Sequence, residues 1–450
     1  MTDASPVSGL FTDLYELSMM QAYVEEDMDD QAVFSLTVRR LPGTRNYLLA
    51  CGIGTVLEYL ENLRFSAQDL AYLSSLGQFS PRFLDWLGGF RFSGDVYAMA
   101  EGTPVFANEP ILEIAAPIAE AQLIETFVLN QINLQTVLAS KAVRVVTAAQ
   151  GRPVVDFGAR RMHGTDAAVK GARAFHIAGV ASTSNVLAGH LYGLPVSGTM
   201  AHSYIQAHDD EIAAFRAFAR LYPETTLLVD TYDTIEGVHG VVKLAKELGG
   251  EFKVGAVRLD SGDLGALAKQ SRSVLDDSGL GAVRIVASGG LDEHAIAALL
   301  ASGAPIDGFG VGTRMGVSRD APDLDIAYKL VEYAGKGRLK LSTGKRVLPG
   351  RQQVFRTETD AVAVGDVIGR DGEALAGTPL LRPLMIAGRR LPEAHESLDD
   401  ARRRTAAAVS RLPASVRAIE PADPPYPVMI SDLLLQHERE VTRRISQDNT

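Results

Sequence analysis

The chain has one cysteine in 450 residues. Cys51 can form no intrachain disulfide, and a zinc or iron–sulfur site built on several cysteines is excluded. The chain also lacks positive charge in excess. Its 44 Lys and Arg stand against 55 Asp and Glu, for a net charge of −11. Nucleic-acid binders usually carry a basic stripe, so that class is set aside. Any anionic ligand must be held by local clusters of Arg and Lys, not by the overall field. No uninterrupted apolar run approaches about 18 residues, so no membrane span is expected. The start, MTDASPVSGLF, has no basic stretch followed by an apolar one, so no signal peptide is expected. These absences point to a cytoplasmic protein. Its 46% hydrophobic and 22% charged content is that of a globular chain, long enough for two or three domains.

What is present is a cadence. Between Val154 and Arg314, seven short apolar runs each end in a burst of Gly, Ser, Asp, Arg or His: VVDFGARR, AGVASTSN, PVSGTMAHS, TLLVDTYDT, AVRLDSGDL, RIVASGGLD and GFGVGTRM. A strand followed by polar residues, repeated every 20–30 residues or so, is the rhythm of βα units. Such units close into barrels or wind into open parallel sheets, and both place their chemistry at the carboxyl ends of the strands. The bursts are therefore the candidate site residues.

The flanks read differently. Thr12 is placed to cap a helix from Asp13 to about Glu26, and AVFSLTVRR from Ala32 alternates as a strand does. The expected organisation is an N-terminal α/β domain with antiparallel strands over 1–119 and an irregular α/β barrel over 120–318, led in by a long helical stretch from Glu120 to Gln150. A C-terminal segment, 319–450, packs back on the first domain and the barrel.

Four cations, Arg160, Arg161, Lys170 and Arg173, follow the first barrel strand within 14 residues. A guanidinium fork grips carboxylate or phosphate bidentately, which suits Arg160 and Arg161 at the strand end. Lys170 and Arg173 fit a charged helix face equally well. In VRLDSGDL, Arg258 within an apolar strand needs an anionic partner. Asp260 and Asp263 at its end can orient sugar hydroxyls or a hydrated Mg²⁺, or Asp263 can cap the next helix. Ser288, Gly289 and Gly290 in ASGG, and Gly310, Gly312 and Thr313 in GFGVGT, end the last two strands, where backbone amides can approach a phosphate. His202 follows a strand beside Ser197, Thr199 and Ser203, which favours a functional role over a structural one. His163 and His176 lack that setting. Tyr15, flanking the first helix's apolar stripe, reads as a packing or interface residue. A phosphosugar aldolase or isomerase on such a barrel would need a Schiff-base Lys or a base Glu at a strand end, and the bursts supply neither.

In order, FTDLYELSMMQAY, RRLPGTRNYLLACG, FANEPILEI, DFGARRMHG, TSNVLAG, SGTMAHSYIQ, LLVDTYDT, VRLDSGDL, ASGGLDE, GFGVGTRM and LPGRQQVFR resemble the nicotinate phosphoribosyltransferase family from about Leu10 to Arg356. The resemblance implies a type II phosphoribosyltransferase, an α/β fold with an irregular (β/α) barrel, working as a homodimer with shared active sites. It implies formation of nicotinate mononucleotide and pyrophosphate from nicotinate and phosphoribosyl pyrophosphate, in NAD salvage. ATP hydrolysis would be coupled through a phosphohistidine at His202. Tyr15 of the partner subunit would stack on the pyridine ring, with Phe157 on its other face. Arg160 and Arg258 would line the nicotinate and phosphoribosyl site, Asp260 the ribose hydroxyls, and the two glycine loops the 5′-phosphate. Mg²⁺ would travel with pyrophosphate, near Asp260 and Asp263, without a dedicated protein ligand set. A nicotinamide-using relative is the alternative. Ser182 departs from the pattern, where the family often has Gly, and this bears on local loop shape only.

Overall fold

A computed structural model of the protein describes residues 8–341 and 346–448. Residues 1–7, which open the signal-peptide argument, lie outside them. Two compact units emerge: Met1–Ala139 with Asp323–Thr450, and Ser140–Pro322.

In the first unit, strand Gln31–Arg40 lies inside a seven-stranded sheet, between Asp325–Tyr333 and Pro110–Pro117, antiparallel to both. Its alternation explains its place. Ala32, Phe34, Leu36 and Val38 are buried in the main core, where Phe34 stacks on Tyr328 with ring centroids 4.9 Å apart. Asp325–Tyr333, from the C-terminal segment expected to pack back on the first domain and the barrel, is thus a strand of this sheet. The first helix runs Leu14–Glu25, with Asp13 rather than Thr12 at the cap position and no side-chain cap bond. The Thr12 hydroxyl donates to the Glu16 carboxylate. The helical stretch expected from Glu120 is two helices, Ile118–Leu123 and Glu125–Ala148.

The second unit holds a curled parallel sheet: β1 (Val154–Asp156), β2 (Ser182–Thr183), β3 (Thr226–Leu228), β4 (Ala256–Leu259), β5 (Arg284–Ala287) and β6 (Gly308–Val311), in the order β2-β1-β6-β5-β4-β3. All of β4 and β6 is buried, as expected for parallel strands covered on both faces. The sheet has six strands, not the seven expected. PVSGTMAHS contributes one bridge, Val196 to Thr183. Pro195 has no N–H to extend the ladder, and the chain turns away at Gly198 into the short helix His202–Gln206. Helices after β3, β4 and β5 begin at aspartate caps, Asp233, Asp263 and Asp292, each accepting first-turn amides.

Candidate active site

The carboxyl ends of the strands in the second unit surround a cleft of about 540 Å³. Phe157, Arg160 and Arg161 reach it from the end of β1, Thr199 and His202 from the PVSG segment, Arg258 and Asp260 from β4. Ser288, Gly289 and Gly290 follow β5, and Gly310, Gly312 and Thr313 belong to the end of β6.

Arg258 organises the floor. It is 9% exposed, and its guanidinium donates to Asp260 Oδ1 at 2.9 Å, to Ser288 Oγ at 3.1 Å and to the Met200 carbonyl at 2.8 Å. Burial pushes its pKa below the usual guanidinium range; Asp260 and Asp230 oppose this, and Arg160 adds to it. The guanidinium also lies 6.0 Å from the centroid of the Phe157 ring. Arg258 therefore ties the ends of β4 and β5 and the Met200 segment to one point.

The glycines are required by close approach. A Cβ on Gly310 would sit 2.4 Å from the Phe157 ring, so the ring lies directly against β6. Gly289 has φ +91°, and a Cβ there would meet the Asp260 carbonyl oxygen at 1.7 Å. Gly290 follows with φ +64°. Two successive residues with positive φ turn the chain sharply beside Asp260, a backbone that glycine alone adopts without strain.

His202 opens its helix with Nδ1 3.1 Å from Thr231 Oγ1 and Nε2 4.0 Å from Asp260 Oδ2. The Thr231 contact on Nδ1 leaves Nε2 as the nitrogen toward the cleft.

Asp263 does not line the cleft; its Oδ1 accepts the Ala266 amide at 3.0 Å, as a helix cap. Tyr15 belongs to the first unit, 49% exposed on the helix Leu14–Glu25. Lys170, Arg173 and His176 lie on the helix Thr165–Ile177 and do not line the cleft. His163, too, is absent from its lining.

Sequence reasoning missed the residues that brace the cleft from behind. Asp230, at the end of β3, accepts the Asp260 amide at 2.9 Å and the Ser261 hydroxyl at 2.8 Å. Asp156, 1% exposed, accepts the Gly158 amide and the Thr183 hydroxyl, each at 2.7 Å, and so sets the Phe157 turn. Burial pushes its pKa up, against those two hydrogen bonds. The signal was an aspartate closing an apolar run, in VVD and LLVD.

Among the described residues no cluster of three or more His, Cys, Asp or Glu is placed to hold a metal ion, and no helix is long and apolar enough to cross a membrane.

The N-terminal domain of nicotinate phosphoribosyltransferase, as a sequence family, matches residues 10–133, and the nicotinate phosphoribosyltransferase family itself matches residues 153–356. The chain belongs to the nicotinate phosphoribosyltransferase family. A relative from Mycobacterium tuberculosis, "Nicotinate phosphoribosyltransferase pncB2", is 58% identical over 429 residues, covering 95% of this chain and 93% of its own. "Nicotinate phosphoribosyltransferase" from Bacillus subtilis is 41% identical over 383 residues, covering 83% and 78%. The crystal structure of human nicotinic acid phosphoribosyltransferase superposes with a TM-score of 0.84 at 27% identity, covering 95% of this chain and 99% of that one. The family match over 153–356 includes every strand of the parallel sheet and thus every residue placed at the cleft.

Proposed function

We propose that the protein transfers the phosphoribosyl group of phosphoribosyl pyrophosphate to nicotinate, forming nicotinate mononucleotide and pyrophosphate, with ATP hydrolysis coupled through phosphorylation of His202. The observation that carries this reading is a single cleft holding Phe157, Arg160, His202, Arg258, Asp260 and two glycine loops.

The nucleophile is a pyridine nitrogen whose lone pair is already free. No general base is needed, so the work is positioning the reactants and stabilising charge on an oxocarbenium-like carbon. Phe157 offers an aromatic face to the ring. Arg160 and Arg258 supply the cations for the carboxylate and the phosphates. Asp260, with Oδ1 engaged by Arg258, presents Oδ2 for the ribose hydroxyls. The amides of the Gly289–Gly290 and Gly312–Thr313 turns take the 5′-phosphate. A magnesium ion would come as the companion of pyrophosphate and would offset its charge, and among the described residues lining the cleft Asp260 is the carboxylate that would face it.

For coupling, His202 Nε2 attacks the γ-phosphorus of ATP and ADP leaves; water later cleaves the phosphohistidine. The modification adds about two negative charges 4 Å from Asp260, enough to rearrange the loops around substrate. In a homodimer, Tyr15 of the partner subunit closes the ring's second face.

The test measures mononucleotide formed from nicotinate and, separately, from nicotinamide, with and without ATP. Nicotinate should be used, faster with ATP, and label from γ-labelled ATP should enter the wild type but not His202→Ala. Use of nicotinamide alone, or full labelling of His202→Ala, would overturn the reading.

A further inference from the structure

Strands β5 and β6 lie side by side, with Val286 paired to Gly308 and Ala287 to Phe309. Each leads into a glycine turn that lines the cleft, Ser288 to Leu291 after β5, and Gly310, Gly312 and Thr313 at the end of β6. Just beyond each turn stands one charged residue that does not line the cleft: Asp292 follows Leu291, and Arg314 follows Thr313. Their side chains meet, Arg314 Nη1 donating to Asp292 Oδ2 at 2.5 Å. This contact bridges the two turns where the ladder between β5 and β6 has already ended.

Both ends of the bridge are anchored. The other Asp292 oxygen, Oδ1, accepts the Ala295 amide at 2.9 Å and caps the helix Glu293–Ala301. Glu293 is fully buried, its carboxylate held by Lys141 at 2.5 Å and by Arg144 at 3.0 Å. Lys141 also holds Asp320 at 2.7 Å, further along the chain from Arg314, whose carbonyl accepts the Arg319 amide at 3.1 Å. One buried lysine thus ties down the segment after each turn. Burial acts to raise the Asp292 pKa, but the Ala295 amide, Arg314 and Lys141 outweigh it and hold the carboxyl below its usual 3.8. The Asp292 side chain is only 17% exposed, so the pair is screened less than one wholly at the surface.

We propose that Asp292 and Arg314 are a positioning pair for phosphate binding: their ion pair fixes the spacing of the two glycine turns, so that amides from both meet one phosphomonoester group. Neither residue lines the cleft, so both act through the turns. A phosphate shared between two loops is sensitive to their separation, because hydrogen bonds weaken steeply once donor and acceptor leave their normal distance. Without the pair, each turn is set only by its own strand and helix. That the phosphate belongs to a phosphoribosyl group rests on the function proposed above; the effect of the pair on phosphate affinity does not depend on the acceptor.

The experiment measures ribose 5-phosphate binding by calorimetry, with kcat and KM for phosphoribosyl pyrophosphate alongside. Asp292→Asn keeps the helix cap, since asparagine caps as well as aspartate, and removes only the charge. Arg314→Gln removes the other charge, and Arg314→Lys keeps it; the contact uses one guanidinium nitrogen, so the fork is not needed. Asp292→Asn and Arg314→Gln should each weaken ribose 5-phosphate about tenfold. KM for phosphoribosyl pyrophosphate should rise by the same factor with kcat within about twofold, because a phosphate remote from the reacting carbon is held equally in ground and transition states. Arg314→Lys should stay within about threefold of the wild type. The double variant Asp292→Asn/Arg314→Gln should be no weaker than either single one, the signature of one shared interaction. Unchanged ribose 5-phosphate affinity in the two charge-removing variants, whatever their thermal midpoints, overturns the proposal; so does a double variant whose loss is the product of the two single ones. Turnover of nicotinate with that affinity unchanged removes the pair and leaves the function standing. Weakened affinity in a protein that makes no product from nicotinate removes the function and leaves the pair standing.

Discussion

Replacing Gly289 by alanine should damage catalysis far more than the same change one residue later. The added Cβ at Gly289 would lie 1.7 Å from the Asp260 carbonyl oxygen, a backbone atom that no rotamer change can move aside. To reach ordinary contact distance the Asp260 loop must shift by on the order of 1 Å, and a misplacement of that size in a positioned site costs about 10²-fold in rate. At Gly290 nothing lies within 4 Å of the added Cβ. Its φ of +64° then adds only the left-handed strain of an L-residue, about 1–2 kcal/mol. Steady-state kinetics with varied phosphoribosyl pyrophosphate should therefore show kcat/KM down about 100-fold for Gly289→Ala. Gly290→Ala should lose no more than about tenfold. Thermal unfolding of both variants checks that each is folded. Equal effects, or near-wild-type kinetics for Gly289→Ala, would refute the argument that this glycine sets the position of Asp260.

Arg258→Lys keeps the charge but not the fork that reaches Asp260, Ser288 and the Met200 carbonyl, and should lower kcat/KM about 10²-fold while the chain stays folded by circular dichroism. Asp263→Ala should cost only about 1 kcal/mol of stability, as a helix cap does, with unchanged kinetics, whereas Asp260→Asn should lose about 10²–10³-fold in kcat by steady-state assay. Lys141→Met leaves the fully buried Glu293 with less compensation and should cost about 3–5 kcal/mol in denaturant unfolding. Burial raises the Glu293 pKa, but Lys141 and Arg144 outweigh it and hold the group below 4.5. The stability it contributes is thus present above that value and lost as pH falls through the lowered one, so the gap between wild type and Lys141→Met should narrow on acidification below 4.5.

The barrel side of the fold could be read because parallel strands covered on both faces are unbroken apolar runs, and AVRL and GFGV are buried at every position. Their ends announce themselves by chemistry that apolar cores reject, which is how Arg258 and Asp260 stood out. PVSG misled because an apolar residue flanked by turn residues mimics a short strand; only the bridge at Val196 formed. Asp263 shows the limit of residue type as evidence, since the same carboxylate serves a ligand or a helix start, and only geometry separates the two. Asp230 and Asp156 were passed over because their work is indirect: Asp230 holds the backbone amide of Asp260, which faces the cleft, and Asp156 that of Gly158, which lies between two residues that do. The joining of residues after Asp323 to strand Gln31–Arg40 depends on pairing across nearly 300 positions, such as Ser35 with Lys329, and no local pattern reports it. Thr12, expected at the cap, instead donates its hydroxyl to Glu16, and the cap position falls to Asp13.

The most direct measurement is a crystal structure with nicotinate mononucleotide bound. The account predicts the pyridine ring against Phe157, the ribose hydroxyls on Asp260, and the 5′-phosphate on the amides after β5 and β6, with His202 facing the same cleft. A mononucleotide seated away from these strand ends, or a 5′-phosphate that touches neither glycine turn, would contradict it.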